Sequence, residues 1–196
     1  MNFRWLQRFF DQPLPGHRPG DVIACALKEL TGRVEIRSVS ADGAVLILPS
    51  GLRCEVRERV ERHFLMHIVA LEFTVRVPGV AALGATVDIR HTGAIFRRGI
   101  ACDVSARHRP GLAELTGRIA GEAELAAALL GLDFRRCRLK NGEAGWSILI
   151  EPYGGSQVVN RKPSFRRYIR LGDRHAEALV GALEGFFRVL SPPAFP

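Results

Sequence analysis

The sequence predicts an α+β protein built on one largely antiparallel, curved β-sheet with helices packed on one side. Two observations lead to this fold class. Apolar and polar residues alternate with a period of two in several segments, most clearly over residues 71–77, and turns rich in glycine or proline separate these segments. Other, longer segments have the apolar spacing and the flanking residues of helices.

In the first half of the chain, a helix precedes a series of strands. Asp21 is a suitable N-cap for a helix over residues 22–30. Strands follow, with a hairpin turn at Asp42-Gly43 and the alternating segment LRCEVR after it. Residues 60–70 fit a helix and a strand equally well, so the pattern leaves that segment open.

The second half repeats this mixture of hairpins and helices. A hairpin is expected around Thr92-Gly93, and residues 112–132 form the longest helical candidate. This candidate contains two glycines, each costing about 1 kcal/mol inside a helix, which favours two helices over one. A second hairpin turns at Asn141-Gly142, and a last helix capped by Asp173 is expected over residues 173–190.

The chain is expected to form one α+β domain over residues 21–196, preceded by an amphipathic segment and a proline-rich linker over residues 1–20. A helix, a strand, an Asp-Gly or Asn-Gly turn and an apolar strand occur in this order twice. This order predicts either an internal pseudo-twofold duplication, with halves 21–110 and 111–196, or two unrelated meanders. As a helix, the N-terminal segment would gather four apolar residues on one side, for docking on the domain or on a membrane surface.

The composition suits an anionic partner. The formal net charge of +8 favours nucleic acid, lipid headgroups or phosphorylated ligands. However, only three of the 28 basic residues are lysines, which is also typical of a GC-rich bacterial genome. The four cysteines form no C-x-x-C motif and are expected to be reduced thiols, and no apolar run approaches the length of a membrane span, so a cytoplasmic protein is expected.

No motif of a known catalytic or cofactor site is present, so no catalytic residue, metal or cofactor is expected. His63 and His67 share one face in either secondary structure but lack further ligands at metal-binding spacing. The usual nucleotide-binding loops and the nucleophile elbow of serine hydrolases are absent from the sequence. Glu143, Glu151 and Asp173 lie beside predicted turns, where a capping role explains them.

The best candidate for a binding site lies between residues 153 and 170. Tyr153 precedes Gly154-Gly155, which would let a ligand approach the backbone closely, and Arg161 adds positive charge. In the strand SFRRYIRL, a period of two puts Arg166, Tyr168 and Arg170 on one face. This face is expected to be the open one, either solvated and paired with Glu55 or Glu72, or bound to an anion. The opposite face, with Phe165, Arg167, Ile169 and Leu171, is expected to point inward.

These observations favour a non-enzymatic domain that binds an anionic or amphipathic ligand through a basic sheet face at Tyr153, Arg161, Arg166, Tyr168 and Arg170. Nucleic acid is one possible partner. Two other classes stay open: a structural or assembly protein that uses a sheet edge or the N-terminal helix, and an enzyme whose site is scattered over several strands. The sequence alone does not give the oligomeric state.

Overall fold

The structure is a computed structural model, which describes residues 17–79, 84–93, 98–105, 111–161 and 163–191. The amphipathic segment predicted at the N-terminus lies outside these ranges, apart from the last residues of its linker. The described residues form four helices and ten strands. They are α1 (Asp21–Leu30), β1 (Glu35–Val39), β2 (Ala44–Ile47), β3 (Arg53–Arg62), β4 (Met66–Val77), β5 (Thr86–Thr92), β6 (Gly99–Val104), α2 (Leu112–Gly121), α3 (Ala123–Gly131), β7 (Phe134–Gly142), β8 (Gly145–Pro152), β9 (Ser156–Arg161), β10 (Ser164–Ile169) and α4 (Gly172–Leu190).

The ten strands form one open sheet in which every named pair is antiparallel, so the predicted α+β class is confirmed. The main order is β1-β2-β3-β4-β8-β7-β5-β6, and β9 joins β4 to β10. Residues 60–70, left open by the sequence, belong to β3, to the turn that follows it, and to β4. No helix in the described part of the chain is both long enough and apolar enough to cross a bilayer.

The hydrophobic core lies between the sheet and the helices. On β4, Leu71, Phe73 and Val75 alternate with outward-facing polar residues and are at most 1% exposed. The last helix, α4, contributes Leu179, Leu183 and other residues to the same core. The period of two seen in the sequence therefore marks the core side of the strand correctly.

The long strand β4 has β8 and β9 as successive neighbours on the same side. Phe73 pairs with Ile150 on β8, whereas Val69 pairs with Gln157 on β9. Three residues lie between Val69 and Phe73 on β4, but six lie between their partners Ile150 and Gln157. The three extra residues, 153–155, bulge out between β8 and β9. β8 thus continues into β9, while β2 reverses into β3. The two apolar strands that follow the Asp-Gly and Asn-Gly turns, β2 and β8, are thus connected differently to the next strand. An internal duplication stays a prediction.

Helix α1 is capped by a residue remote in sequence, and the prediction that Asp21 is its N-cap is wrong. Gly20 occupies the N-cap with a left-handed φ of 87° and makes no side-chain cap. Instead, Glu58 on β3 accepts hydrogen bonds from the backbone N–H groups of Gly20 and Val22, each at 3.1 Å. The carboxylate satisfies free N–H groups and complements the positive end of the helix dipole.

The helical segment over residues 112–132 divides into two, as the sequence favoured. The break is not at a glycine: Glu122, with the extended φ of −80° and ψ of 108°, ends α2. Its side chain then accepts a hydrogen bond from the backbone N–H of Leu125 and caps α3. A capping acid, rather than the low helix propensity of glycine, sets this boundary.

Candidate functional site: the α1 pocket

Strand β10 lies at an edge of the sheet, and its faces are the reverse of those predicted. Tyr168 pairs with Gln157 and Arg166 with Val159, which are both buried on the helix side. Arg166, Tyr168 and Arg170 accordingly face α1. Phe165, Arg167 and Ile169 are on the open side of the sheet, where Phe165 is 48% exposed.

Two stripes of side chains match each other across this contact. On α1 the stripe consists of Asp21, Cys25 and Glu29, which are four residues apart. The other stripe consists of Arg166 and Tyr168 on β10 and of Arg170, the residue after this strand, which are two apart. Four residues of helix rise about 6.0 Å, and two residues of strand span about 6.6 Å. Arg166 therefore pairs with Asp21 (3.3 Å) and Arg170 with Glu29 (3.1 Å), not with the predicted Glu55 or Glu72. Tyr168 lies between these ion pairs, beside Cys25.

The Glu29 carboxylate also fixes the start of α4. Its Oε2 accepts hydrogen bonds from the backbone N–H groups of Leu171 (2.6 Å) and Gly172 (3.3 Å). The predicted cap, Asp173, instead pairs with Arg33 at 3.1 Å. Glu29 thus connects α1, β10 and α4, and its negative charge is balanced by Arg170 and by the N-terminal end of the helix dipole.

The glycines after Tyr153 allow this close approach of β10 to the bulge. A Cβ on Gly154 would lie 2.7 Å from the Cα of Leu171, a distance that real Cβ atoms do not show. Gly155 has a φ of 74° and donates a backbone hydrogen bond to Ile169 O at 2.8 Å. The two glycines serve packing and a left-handed turn here.

An open pocket of about 460 Å³ lies where α1, β10 and the start of α4 meet, and we call it the α1 pocket. Its volume is within the range of small-molecule sites. It is lined by Cys25, Lys28, Glu29, Thr31, Arg33, Tyr168, Arg170, Gly172 and Asp173.

Positive charge exceeds negative charge among these lining residues. Arg33 is paired with Asp173, and Arg170 uses its Nε to reach Glu29. The ammonium group of Lys28 has no ionic partner among the residues that the structure describes. An acceptor in the pocket would meet this ammonium group and the guanidinium of Arg170, whose side chain is 80% exposed.

Tyr168 lines the pocket, and its hydroxyl is closed to solvent and has no hydrogen-bond partner in the described part of the chain. Burial is the main cause that raises the pKa of Tyr168, and the nearby Glu29 carboxylate raises it further. The phenol therefore keeps its proton at neutral pH and is a hydrogen-bond donor. An unmade buried hydrogen bond costs about 1–3 kcal/mol.

Of the five predicted binding residues, the structure brings only Tyr168 and Arg170 into this pocket. Arg166 lies two residues away on the same face of β10, paired with Asp21. Tyr153 is on the bulge and is 52% exposed. Arg161 ends β9, and its side chain is outside the described set.

The open face of the sheet has an ion-pair network that the sequence analysis missed. Glu151 was explained as a turn residue, but it is fully buried at 0% exposure. Its carboxylate contacts Arg59 (2.8 Å), Arg135 (3.2 Å) and Arg136 (2.8 Å), and these arginines also reach Glu61 and Glu72. Three guanidinium groups and three carboxylates balance each other, so this network offers no excess charge to an anion.

The free cysteines differ in their surroundings. Cys25 is exposed at the pocket, whereas Cys54 and Cys137 are buried in the core. Burial raises the pKa of the Cys54 thiol to about 12 and also raises the pKa of Cys137. Within the described residues, no three His, Cys, Asp or Glu side chains are grouped so that they could hold a metal ion.

Comparison with known proteins gives a match to a protein family. The model of a family described as "Protein of unknown function (DUF3156)" matches residues 26–190, which is most of the chain and extends from the second half of α1 to the end of α4. Neither the curated proteins nor the solved structures gave a match.

Proposed function

The chain belongs to the DUF3156 family, whose description states no activity, and we propose that it is a non-enzymatic binding domain that holds a small anionic ligand in the α1 pocket. The observation that carries the proposal is the buried Tyr168 hydroxyl, a donor without a partner in the described structure, beside the cationic groups of Lys28 and Arg170.

The donors in the pocket define the class of ligand. A phenol, an ammonium and a guanidinium all donate hydrogen bonds, and the last two carry positive charge. Their common complement is a group with several acceptor oxygens and a negative charge, such as a carboxylate or a phosphate. The pocket volume of about 460 Å³ suits a metabolite-sized molecule rather than a polymer.

The pocket is also rigidly framed. Glu29 ties the end of α1 to the first residues of α4, and Gly154 lets the bulge pack against Leu171. A preorganised site loses less conformational entropy when a ligand binds. Binding in the cytoplasm is part of this proposal, and the four free thiols support it.

The test measures thermal midpoints at constant ionic strength in the presence of inorganic phosphate, citrate, a nucleoside monophosphate and a short oligonucleotide. We expect at least one small anion to raise the midpoint of the wild-type protein, because it binds only the folded state. Lys28→Ala and Tyr168→Phe should each abolish most of that rise. Arg57→Ala, on the opposite face of the sheet and similarly exposed, is the matched control and should keep it.

Two outcomes would contradict the proposal. If small anions stabilise the wild type and the two pocket variants equally, they bind elsewhere. If only the oligonucleotide stabilises the protein, the ligand is a nucleic acid and the α1 pocket is not its site.

A further inference from the structure

Two hairpin ends lie side by side at one end of the sheet. Met66, the first residue of β4, pairs with Asn160 on β9, and Asn160 pairs with Phe165 on β10. Neighbouring strands are about 4.8 Å apart, so Met66 and Phe165 are separated by about 10 Å across the sheet. The β3–β4 turn and the β9–β10 turn therefore project from the same end of the sheet.

Large apolar side chains are exposed at both hairpin ends. In the β3–β4 turn, Phe64 is 75% exposed and Leu65 is 49% exposed. At the start of β10, Phe165 is 48% exposed on the open side of the sheet. Phe64 is the most exposed large apolar residue of the described chain. Exposed apolar side chains that are grouped at one end of a sheet, unlike single ones, are typical of a contact site for a protein or a membrane.

The charges around these side chains are predominantly basic. The sequence RVERHFLMHI over residues 59–68 contains one acidic residue, and NRKPSFRR over residues 160–167 contains none. Arg166 faces α1, where it pairs with Asp21, and does not belong to this surface. The one acid, Glu61, is already paired with Arg59 and Arg135. Arg167, next to Phe165 on the exposed strand, has no ionic partner among the described residues. Apolar side chains within a basic surface complement a bilayer that contains anionic lipid.

We propose that these paired hairpin ends, defined by Phe64, Leu65, Phe165 and Arg167, dock on the surface of an anionic lipid bilayer. Phe64, Leu65 and Phe165 enter the interfacial region, and the surrounding cations contact lipid phosphates. This surface is separate from the α1 pocket, because Phe165 and Arg167 lie on the opposite face of β10 from Tyr168. The proposed lipid contact therefore does not depend on ligand binding in the α1 pocket.

The test is co-sedimentation of the full-length protein with vesicles of phosphatidylcholine alone and with vesicles of equal parts phosphatidylcholine and phosphatidylglycerol. We expect binding to the anionic vesicles only, weakened by added salt. The double variant Phe64→Ser/Leu65→Ser should reduce partitioning by about tenfold or more. The matched control is Ile36→Ser/Val39→Ser, two similarly exposed apolar residues on β1 at another edge, which should bind as the wild type does.

A second measurement reports the depth of these side chains directly. Tryptophan emission of Phe64→Trp, after subtraction of the wild-type signal, should shift to the blue with anionic vesicles and be quenched by brominated lipid. Ile36→Trp should show neither effect.

Three outcomes would overturn the proposal. One is equal binding to neutral vesicles. Another is binding that survives the Phe64→Ser/Leu65→Ser change, which would place the contact elsewhere, for example in the first 16 residues. The last is no vesicle binding by a folded wild type whose exposed tips instead form a dimer in sedimentation equilibrium.

Discussion

The carboxylate of Glu29, near the end of α1, lies 2.6 Å from the backbone nitrogen of Leu171, which immediately precedes α4. One side chain thereby joins two helices that are about 140 residues apart in the chain. The same carboxylate pairs with Arg170, so the wall of the α1 pocket and the start of α4 depend on a single residue.

Replacing Glu29 should destabilise the protein. Glu29→Ala leaves the N–H groups of Leu171 and Gly172 without their acceptor, and we expect the free energy of unfolding to fall by about 1–3 kcal/mol. Glu29→Gln keeps an acceptor oxygen and should lose less. Urea denaturation measures both, with Glu177→Ala, an exposed residue of α4, as the control. Equal stability of Glu29→Ala and Glu177→Ala would show that this cap is unimportant.

Substitution of the buried Glu151 should lower the free energy of unfolding more than substitution of an exposed acid. Glu151→Ala leaves Arg59, Arg135 and Arg136 facing one another without the central carboxylate, and should cost about 3 kcal/mol or more. Glu35→Ala removes the exposed pair with Arg37 and should cost less than about 1 kcal/mol. Chemical denaturation of the two variants provides the comparison. A small loss for Glu151→Ala would mean that the network is solvated in solution.

Stability should decrease in acid through two carboxylates on β3. A hydrogen bond from Arg76 holds the pKa of Glu55 below its ordinary value of 4.5, and one from Arg135 does the same for the pKa of Glu61. Both groups bind a proton more readily in the unfolded chain. Their contribution is therefore complete above about pH 4.5 and is lost as the pH falls through the lower folded-state values. Urea midpoints measured at descending pH should show this decrease, and Glu55→Gln/Glu61→Gln should flatten it.

The two faces of β10 should respond to substitution in opposite ways. Phe165→Ser/Ile169→Ser changes exposed side chains and should alter the free energy of unfolding by about 0.5 kcal/mol or less per residue. Arg166→Ser/Tyr168→Ser/Arg170→Ser removes the contacts with α1 and should be clearly destabilising. Thermal unfolding distinguishes the two sets. A larger loss of stability for Phe165→Ser/Ile169→Ser than for the triple variant would instead support the faces that the sequence predicted.

The reversal on β10 shows where the strand pattern fails. Over residues 71–77 of β4 every second residue is apolar, and the buried face was predicted correctly. On β10 both faces mix arginine with apolar residues, because α1 supplies acids to the inner arginines and the edge of the sheet leaves Phe165 exposed. A signal for the correct face was present in the sequence: Asp21, Cys25 and Glu29 form a polar stripe on α1. This stripe identifies the inner face of β10 only when it is known that α1 packs against β10.

The missed caps and the missed Glu151 have a related cause. A helix N-cap is usually sought in the adjacent residues, but Glu58 and Glu29 cap α1 and α4 from distant parts of the chain. Glu151 looks like a turn residue until β7 and β3 bring three arginines around it. Helices, the α+β class and the presence of the hairpins follow from local patterns, although the β7–β8 turn lies at residues 143–144 and not at the predicted Asn141-Gly142. The carboxylates depend on long-range contacts.

Native thiol labelling should distinguish the cysteines. Cys25 is exposed and should react readily at neutral pH, whereas the raised pKa and the burial of Cys54 and Cys137 should protect them until the protein unfolds. Mass spectrometry of peptides from protein labelled for a short time identifies the modified residue. Rapid labelling of Cys54 in the folded state would contradict the arrangement of the core.

The labelling rate of Cys25 is the measurement that tests the α1 pocket most directly, because this thiol lines the pocket beside Tyr168. Rates are compared without ligand and with the anion that raises the thermal midpoint most, in the wild type and in Lys28→Ala. We predict that the anion slows labelling of Cys25 in the wild type, with saturation, and has little effect in the variant. A rate for wild-type Cys25 that stays unchanged at anion concentrations that stabilise the fold would contradict binding in the α1 pocket.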